Sequence, residues 1–321
     1  MKASLPLVSI LINNYNYGRF LRDAIDSALN QTYLNIEVIV VDDGSTDASR
    51  EIIATYGKRI IPVLKENGGQ ASAFNAGFAA SKGEWIYLLD SDDLFQARKI
   101  ERVWELACEY PSAGLIAHNL AYCTADGAPL DFLPPRIRQR RLVDNRQRAR
   151  RGKITAHLPA TSGLCIRRDI LGRVLPMPEE IRAPDAYLQY VVPSLVSVLL
   201  FPEALAEQRI HGQNFYTSAS KDPGEAARLH YAAVCATATF HLRKEHPLLA
   251  SMAWKQYGWI LYQLKSCRSE ESRAREADIR TRYSVMDQTL WCYVCVAGVF
   301  TKTLLKARLH KLKCLIEGSF I

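Results

Sequence analysis

Several things are scarce in this 321-residue chain, and each scarcity removes a class of function. The apolar run Leu290–Phe300 is 11 residues long, too short to cross a hydrocarbon core of about 30 Å. The opening residues have one early lysine and a short apolar stretch, Leu5–Ile12, that "NNYNYG" ends, so they lack the length and flanks of a signal peptide and predict a cytoplasmic protein. Eight cysteines are scattered without the spacing of a disulfide framework, as expected of thiols in a reducing compartment. The pair Cys292-x-x-Cys295 lies in an apolar helical pattern with no second pair, which favours packing over zinc. A G-x-G-x-x-G phosphate loop is also absent, so dinucleotide binding gains no support.

What is present fits a folded α/β protein. Hydrophobic residues make up 48% and charged residues 23%, with a formal net charge of +8 that favours an anionic partner. In the first half, "LVSILI" (Leu7–Ile12), "IEVIVV" (Ile36–Val41), "RIIPVLK" and "EWIYLL" are short and apolar almost throughout, the pattern of strands buried on both faces of a parallel sheet. Between them, "GRFLRDAIDSALNQ", "DASREIIATY" and "GQASAFNAGFAAS" have helical periodicity. The alternation predicts a doubly wound, mostly parallel sheet with helices on both faces.

In such a sheet ligands bind beyond the carboxyl ends of the strands. Those ends carry Asn13-Asn14-Tyr15-Asn16, then "DDGSTD" (Asp42–Asp47), then "ENGGQ" (Glu66–Gln70), then "DSDD" (Asp90–Asp93). Two carboxylates about 4 Å apart repel by roughly 4 kcal/mol at an effective dielectric near 20. A solvated turn, proton uptake or a hard divalent cation would each relieve that repulsion.

The middle of the chain is less regular. "RIRQRRLVDNRQRARRGK" (Arg136–Lys153) sets nine basic residues against the single Asp144 and reads as a mobile loop or solvated helix, with contact to anionic headgroups or an acidic acceptor as the sharper alternative. "TSGLCIRRDIL" reads as a strand entering a helix, "APDAYLQYVV" as a helix and "SLVSVLLF" as a strand. From about Glu225 onward the pattern is helical, either a packed bundle or helices lying on a membrane surface.

Taken in order, "VSILINNYNYGRFLRDAIDSALNQTYLNIEVIVVDDGSTDAS", "NGGQASAFNAGFAASKGEWIYLLDSDD" and "YLQ…QRIHGQN" resemble the family 2 nucleotide-sugar glycosyltransferases, inverting enzymes of GT-A fold, over roughly residues 5–216. The resemblance implies a GT-A domain over 1–216, with a nucleotide-binding half to about residue 95 and an acceptor half from 96, followed by a helical region over 217–321. It implies that Asn13, Tyr15 and Asp43 hold the base and ribose; apart from the resemblance, Asp42 and Asp43 could form an Asx turn capping the helix that begins near Asp47, the role expected of Asp42. Gly68 and Gly69 would let the backbone approach the nucleotide, with Asn75 reaching the pocket or serving as an ordinary helix residue. Asp92 would ligate Mn2+ or Mg2+, Asp90 would face the nucleotide, and Asp93 would be a third member. His211 would complete the metal shell and Arg209 offset phosphate charge.

The resemblance further makes Asp185 the base for the acceptor hydroxyl. The family often has two adjacent acids there. This chain has Pro184 before Asp185, with Glu179 and Glu180 upstream. "TSG" (Thr161–Gly163) would line the acceptor side. The Q-x-x-R-W element of processive synthases is absent, so transfer of a single sugar is expected. The expected partners are a nucleoside diphosphate sugar, with UDP first, and a glycan or lipid-linked glycan, not nucleic acid. A sugar nucleotidyltransferase, a catalytically inactive nucleotide-sugar-binding module or a membrane scaffold are the alternatives.

Overall fold

A computed structural model describes residues 5–130, 137–150, 158–179, 181, 183–212, 214, 234 and 238. The chain divides into two units, Met1–Lys221 and Asp222–Ile321. In the second, the described positions are Val234 and Ala238, both helical and buried. The expectations for the remaining C-terminal residues, including Leu290–Phe300, lie outside the described residues.

Four strands and three helices alternate as the pattern predicts: β1 (Val8–Asn14), α1 (Gly18–Leu29), β2 (Ile36–Asp43), α2 (Ser49–Thr55), β3 (Ile61–Lys65), α3 (Gln70–Ala80) and β4 (Trp85–Asp90). All seven residues of β1 are buried, so this strand is covered on both faces. Val8, Ile10 and Ile12 join a core with Leu21 and Ile25 of α1, and with Val103 and Leu106 of the later helix α4 (Lys99–Glu109). Leu11 points to the other face, where it and Val41 meet Gly77 of α3, a position at which a Cβ would lie 3.1 Å from Val41 Cγ2.

The remaining elements are β5 (Leu94–Phe95), β6 (Ala113–Thr124), β7 (Arg141–Val143), α5 (Arg146–Arg150), a 3-10 turn at Thr161–Gly163, β8 (Leu164–Arg167), α6 (Arg168–Leu171), α7 (Pro184–Leu195) and β9 (Ser197–Ile210). The nine strands make one sheet in the order β3-β2-β1-β4-β8-β6-β9-β5, with β7 also paired to β9. β1 to β4, β6 and β9 run in one direction, and β8, β5 and β7 run against them. β8 therefore starts at the sheet edge where β1, β2 and β4 finish.

Two parts of this half differ from the sequence reading. β6, a 12-residue strand that occupies the centre of the second half of the sheet, is not predicted from its alanine-rich sequence. The basic segment is ordered over its described part. Val143, Asn145 and Ala149 are buried there, β7 pairs with β9, and Arg140 reaches Glu109 at 2.8 Å.

Candidate active site

Register places the site. Asn13 of β1 lies opposite Val41 of β2 on one side and Asp90 of β4 on the other, so the loops that follow these strands open side by side. Asn13 is 7% exposed, and among the described residues neither its Oδ1 nor its Nδ2 has a hydrogen-bond partner. Tyr15, two residues on, is 47% exposed at the rim.

The two aspartates that end β2 do different things. Asp42 accepts hydrogen bonds from the Ser45 backbone (3.1 Å), Arg50 Nε (2.7 Å) and Asn14 Nδ2 (3.0 Å), the turn-closing role its position suggests. Burial alone would raise its pKa, but the Arg50, Ser45 and Asn14 bonds carry it below the usual carboxylate value. Gly44 then turns the chain at φ +81°, where a side chain would meet the Asn67 nitrogen. Asp43 accepts from Lys65 Nζ (2.6 Å) and from the backbone N–H groups of Gly68 (3.0 Å) and Gly69 (2.7 Å). Its carboxylate thus shapes the glycine turn, in which Gly69 takes φ 85° before α3 begins.

The acidic motif at the end of β4 is crowded. Asp90 accepts from Gln70 Nε2 at 3.1 Å, and its pKa is pushed up to about 8, first by burial, then by the charges of Asp92 and Asp185. Hydrogen bonds from Thr161 and Gln70 partly offset this. Asp93 is 1% exposed, with one oxygen bonded to the Ser162 hydroxyl (2.6 Å) and the other to the Arg209 backbone N–H (3.1 Å). Its pKa is also raised, by burial and by its two acidic neighbours.

Asp92 points the other way. Its Oδ2 lies 3.0 Å from His211 Nε2 and 3.2 Å from Asn214 Nδ2. The imidazole is held by Phe20, with ring centroids 4.9 Å apart, and by Tyr17 at 5.6 Å. Burial and the charges of Asp92 and Asp90 raise the Tyr17 phenol to about 12, so it stays protonated beside the acids. The two side chains, Asp92 and His211, are in direct hydrogen-bond contact, and a carboxylate and an imidazole are groups that could ligate a magnesium or manganese ion. Among the described residues no three His, Cys, Asp or Glu side chains form a closed cage. A cation that binds through one or two protein ligands and completes its shell with water and phosphate oxygens needs none.

Asp185 stands in the first turn of α7, after Pro184, and accepts from the Ala186 N–H at 2.8 Å. Burial raises its pKa, and its charge contributes to the raised pKa of Asp90.

Two candidate residues are directed elsewhere. Arg209 sends its guanidinium to Asp23 at 2.7 Å and over the Phe20 ring, and contributes its backbone N–H to Asp93. Asn75 exchanges two hydrogen bonds with the Met177 backbone, at 2.7 and 2.9 Å, and so ties α3 to the segment before α7. Beside it Ser72 bonds to Glu179 at 2.8 Å. Glu180 lies outside the described residues. The site also holds side chains that the sequence reading did not assign: Tyr17 and Phe20 around the histidine, Gln70 on Asp90 and Lys65 on Asp43, while Thr161, expected on the acceptor side, hydrogen-bonds Asp90. Gln70 ends the third strand-end cluster already singled out, and Tyr17 directly follows the first. Lys65 carries no signal of its own.

Comparison with known proteins fits this arrangement. The family model described as glycosyl transferase family 2 matches residues 9–175, more than half of the chain. An uncharacterized glycosyltransferase of Nostoc sp. (strain PCC 7120) is 35% identical over 227 residues, covering 68% of this chain and 69% of that protein. In fold, the chain is similar to S. aureus TarS 1–349 in complex with UDP (TM-score 0.59, 14% identity, covering 85% of this chain and 78% of that one). It is also similar to the mannosyltransferase PcManGT from Pyrobaculum calidifontis in complex with GDP-Man and Mn2+ (TM-score 0.51, 16% identity, covering 94% and 86%). A GT-A-like sheet whose strand ends gather Asn13, Asp43, Asp90 and Asp92 thus meets a family match over the same residues, and the chain belongs to glycosyl transferase family 2, enzymes that transfer a sugar from a nucleotide-sugar donor.

Proposed function

We propose that this glycosyltransferase carries out a cation-dependent, inverting transfer of one sugar from a UDP-sugar to an acceptor hydroxyl. The observation that carries the reading is the convergence of Asp92 and His211 at 3.0 Å beside Asp90, with Asp185 close enough to perturb Asp90. A divalent cation held by Asp92 and His211 would neutralise charge on the departing diphosphate. The Oδ1 and Nδ2 of Asn13, unpartnered among the described residues, support a base-binding role, because a buried amide left unsatisfied costs about 1–3 kcal/mol and a pyrimidine edge supplies both a donor and an acceptor. That TarS was obtained with UDP and PcManGT with Mn2+ is consistent with this choice.

In this reading Asp185 takes the proton from the acceptor hydroxyl as it attacks the face of the sugar opposite the diphosphate. Burial makes its carboxylate a stronger base than an exposed one. The Asp43–Lys65 pair and the Gly68–Gly69 turn shape the nucleotide side, and Tyr17 and Phe20 hold the imidazole in position. Arg138, Arg141 and Arg148 are exposed and form no ion pair among the described residues, which supports an anionic acceptor such as a lipid-linked glycan at a membrane surface. No described helix is long and apolar enough to cross a membrane.

The test is nucleoside diphosphate release in the presence of Mn2+ from a panel of UDP- and GDP-sugars, together with calorimetry of UDP and GDP binding. Release from a UDP-sugar with inverted product stereochemistry is expected. Absence of release from every donor, with no binding of either nucleotide, would overturn the reading.

A further inference from the structure

Beneath the acidic motif runs a buried polar chain that the reaction above leaves unused. Lys99, at the start of α4, is 0% exposed. Its ammonium donates to the Ser162 carbonyl at 2.7 Å and sits 3.4 Å from the centre of the Phe95 ring. Among the described residues its contacts are the Ser162 carbonyl and the Phe95 ring, with Asp93 acting only as an opposite charge nearby, an expensive arrangement for a buried cation unless it serves the fold or the site. The Ser162 hydroxyl donates to Asp93 Oδ2 at 2.6 Å and accepts the Asp90 backbone N–H at 3.2 Å. Asp93 Oδ1 in turn accepts the Arg209 N–H at 3.1 Å.

The connectivity matters more than any single bond. One hydroxyl grips both ends of the four-residue stretch Asp90–Asp93, Asp90 through its backbone and Asp93 through its side chain, and Asp92 lies between these two points. Asp93 also binds β9 at Arg209, two residues before His211. The two groups that face each other at 3.0 Å, Asp92 and His211, thus stand on two pieces of chain joined by Asp93. Both oxygens of Asp93 are already engaged by protein donors, whereas Asp92 faces the imidazole.

We propose that Ser162, Asp93 and Lys99 are positioning residues, in which Asp93 serves as a tie between the β4 turn and β9 and not as a cation ligand, Ser162 fixes that tie, and Lys99 anchors the Thr161–Gly163 turn from below. The proposal rests on the reading of Asp92 and His211 as the cation-facing pair. It moves the Thr161–Gly163 turn from lining the acceptor side to supporting the acidic motif.

Calorimetry of Mn2+ with UDP on the full chain tests it, comparing wild type with Ser162→Ala, Lys99→Met and Asp92→Asn. Ser162→Ala is expected to weaken Mn2+ binding about tenfold, with turnover recovered when Mn2+ is raised in proportion. Asp92→Asn should not recover. Lys99→Met should shift Mn2+ dependence in the same direction as Ser162→Ala. A second measurement needs neither variant nor metal: in the metal-free wild type, amide hydrogen exchange at Asp90 and Arg209 should be at least ~100-fold slower than in an unstructured chain.

Coil-like exchange at these two amides would overturn the proposal. So would Mn2+ and UDP binding by Ser162→Ala equal to wild type, and this second result would leave the proposed function intact. A wild type that binds Mn2+ with neither UDP nor GDP would remove the proposed function and this inference together.

Discussion

Replacing Asp43 by alanine tests what this carboxylate does. In the structure it holds Lys65 Nζ at 2.6 Å and two glycine N–H groups at 3.0 and 2.7 Å, with side-chain exposures of 4% for Asp43 and 22% for Lys65. Removing one partner of a buried ion pair costs about 3–5 kcal/mol, chiefly because the other charge stays behind uncompensated. Lys65 is partly open to water, which places Asp43→Ala at the lower end, about 3 kcal/mol. The Gly68 and Gly69 amides are half-buried and can turn to solvent, so they add little. For a unit the size of Met1–Lys221 each kcal/mol moves the melting temperature by about 2–4 °C, giving a fall of roughly 6–12 °C without nucleotide. The double variant Asp43→Ala/Lys65→Met should recover part of that loss, since no stranded charge remains. Thermal unfolding with and without UDP reads both effects. If Asp43→Ala melts within about 1 °C of wild type and loses only UDP affinity, the contacts to Lys65 and the glycine turn are incidental and the reasoning is wrong.

Three further outcomes follow from the same geometry. Asp185→Asn should lower the transfer rate by about 10^2–10^4-fold while calorimetric UDP binding stays near wild type; an equal loss of binding would give Asp185 a donor role instead. Because the pKa of Asp90 is raised to about 8 in the folded chain and near 3.9 when unfolded, the native state holds the extra proton between those values. The stability this gives is complete below about pH 4 and is lost as pH rises through about 8, so metal-free melting temperature should fall over that window, and a curve of the same slope for Asp90→Asn would discount Asp90. Gly44→Ala should destabilise by about 1–3 kcal/mol, since φ is +81° and a Cβ would sit 2.6 Å from the Asn67 nitrogen; unchanged urea unfolding would show that the turn can relax.

The nucleotide half was legible because its strands are covered on both faces, and a nearly continuous apolar run such as Val8–Ile12, broken only by Ser9, announces that by itself. The second half was harder for a physical reason. β6 reads Ala-Gly-Leu-Ile-Ala-His-Asn-Leu-Ala-Tyr-Cys-Thr, small residues broken by two polar ones, and is held as a strand by its neighbours. His118 bonds its Nδ1 to the Asn119 carbonyl, and the Asn119 amide bonds to the Ile137 and Pro202 carbonyls. β9 runs on through Glu203–Ile210 for the same reason, since its polar second half pairs with β6 and β5. Within the site, charge clusters at strand ends could be seen in the sequence. The division of labour inside them could not, because whether Asp92 or Asp93 faces the cavity depends on where Ser162 and Arg209 arrive from sequence positions 69 and 116 residues away.

The reversed direction of β8 has an evolutionary consequence. A strand that runs against its neighbours brings its own beginning to their endings, so the Thr161–Gly163 turn that leads into β8 lies at the edge where β4 delivers its acidic motif. Under the function proposed above, exchanges upstream of Thr161 would change the surroundings of the acceptor while the ladder from β3 to β4 keeps its alignment, letting one donor-handling frame be fitted to new recipients.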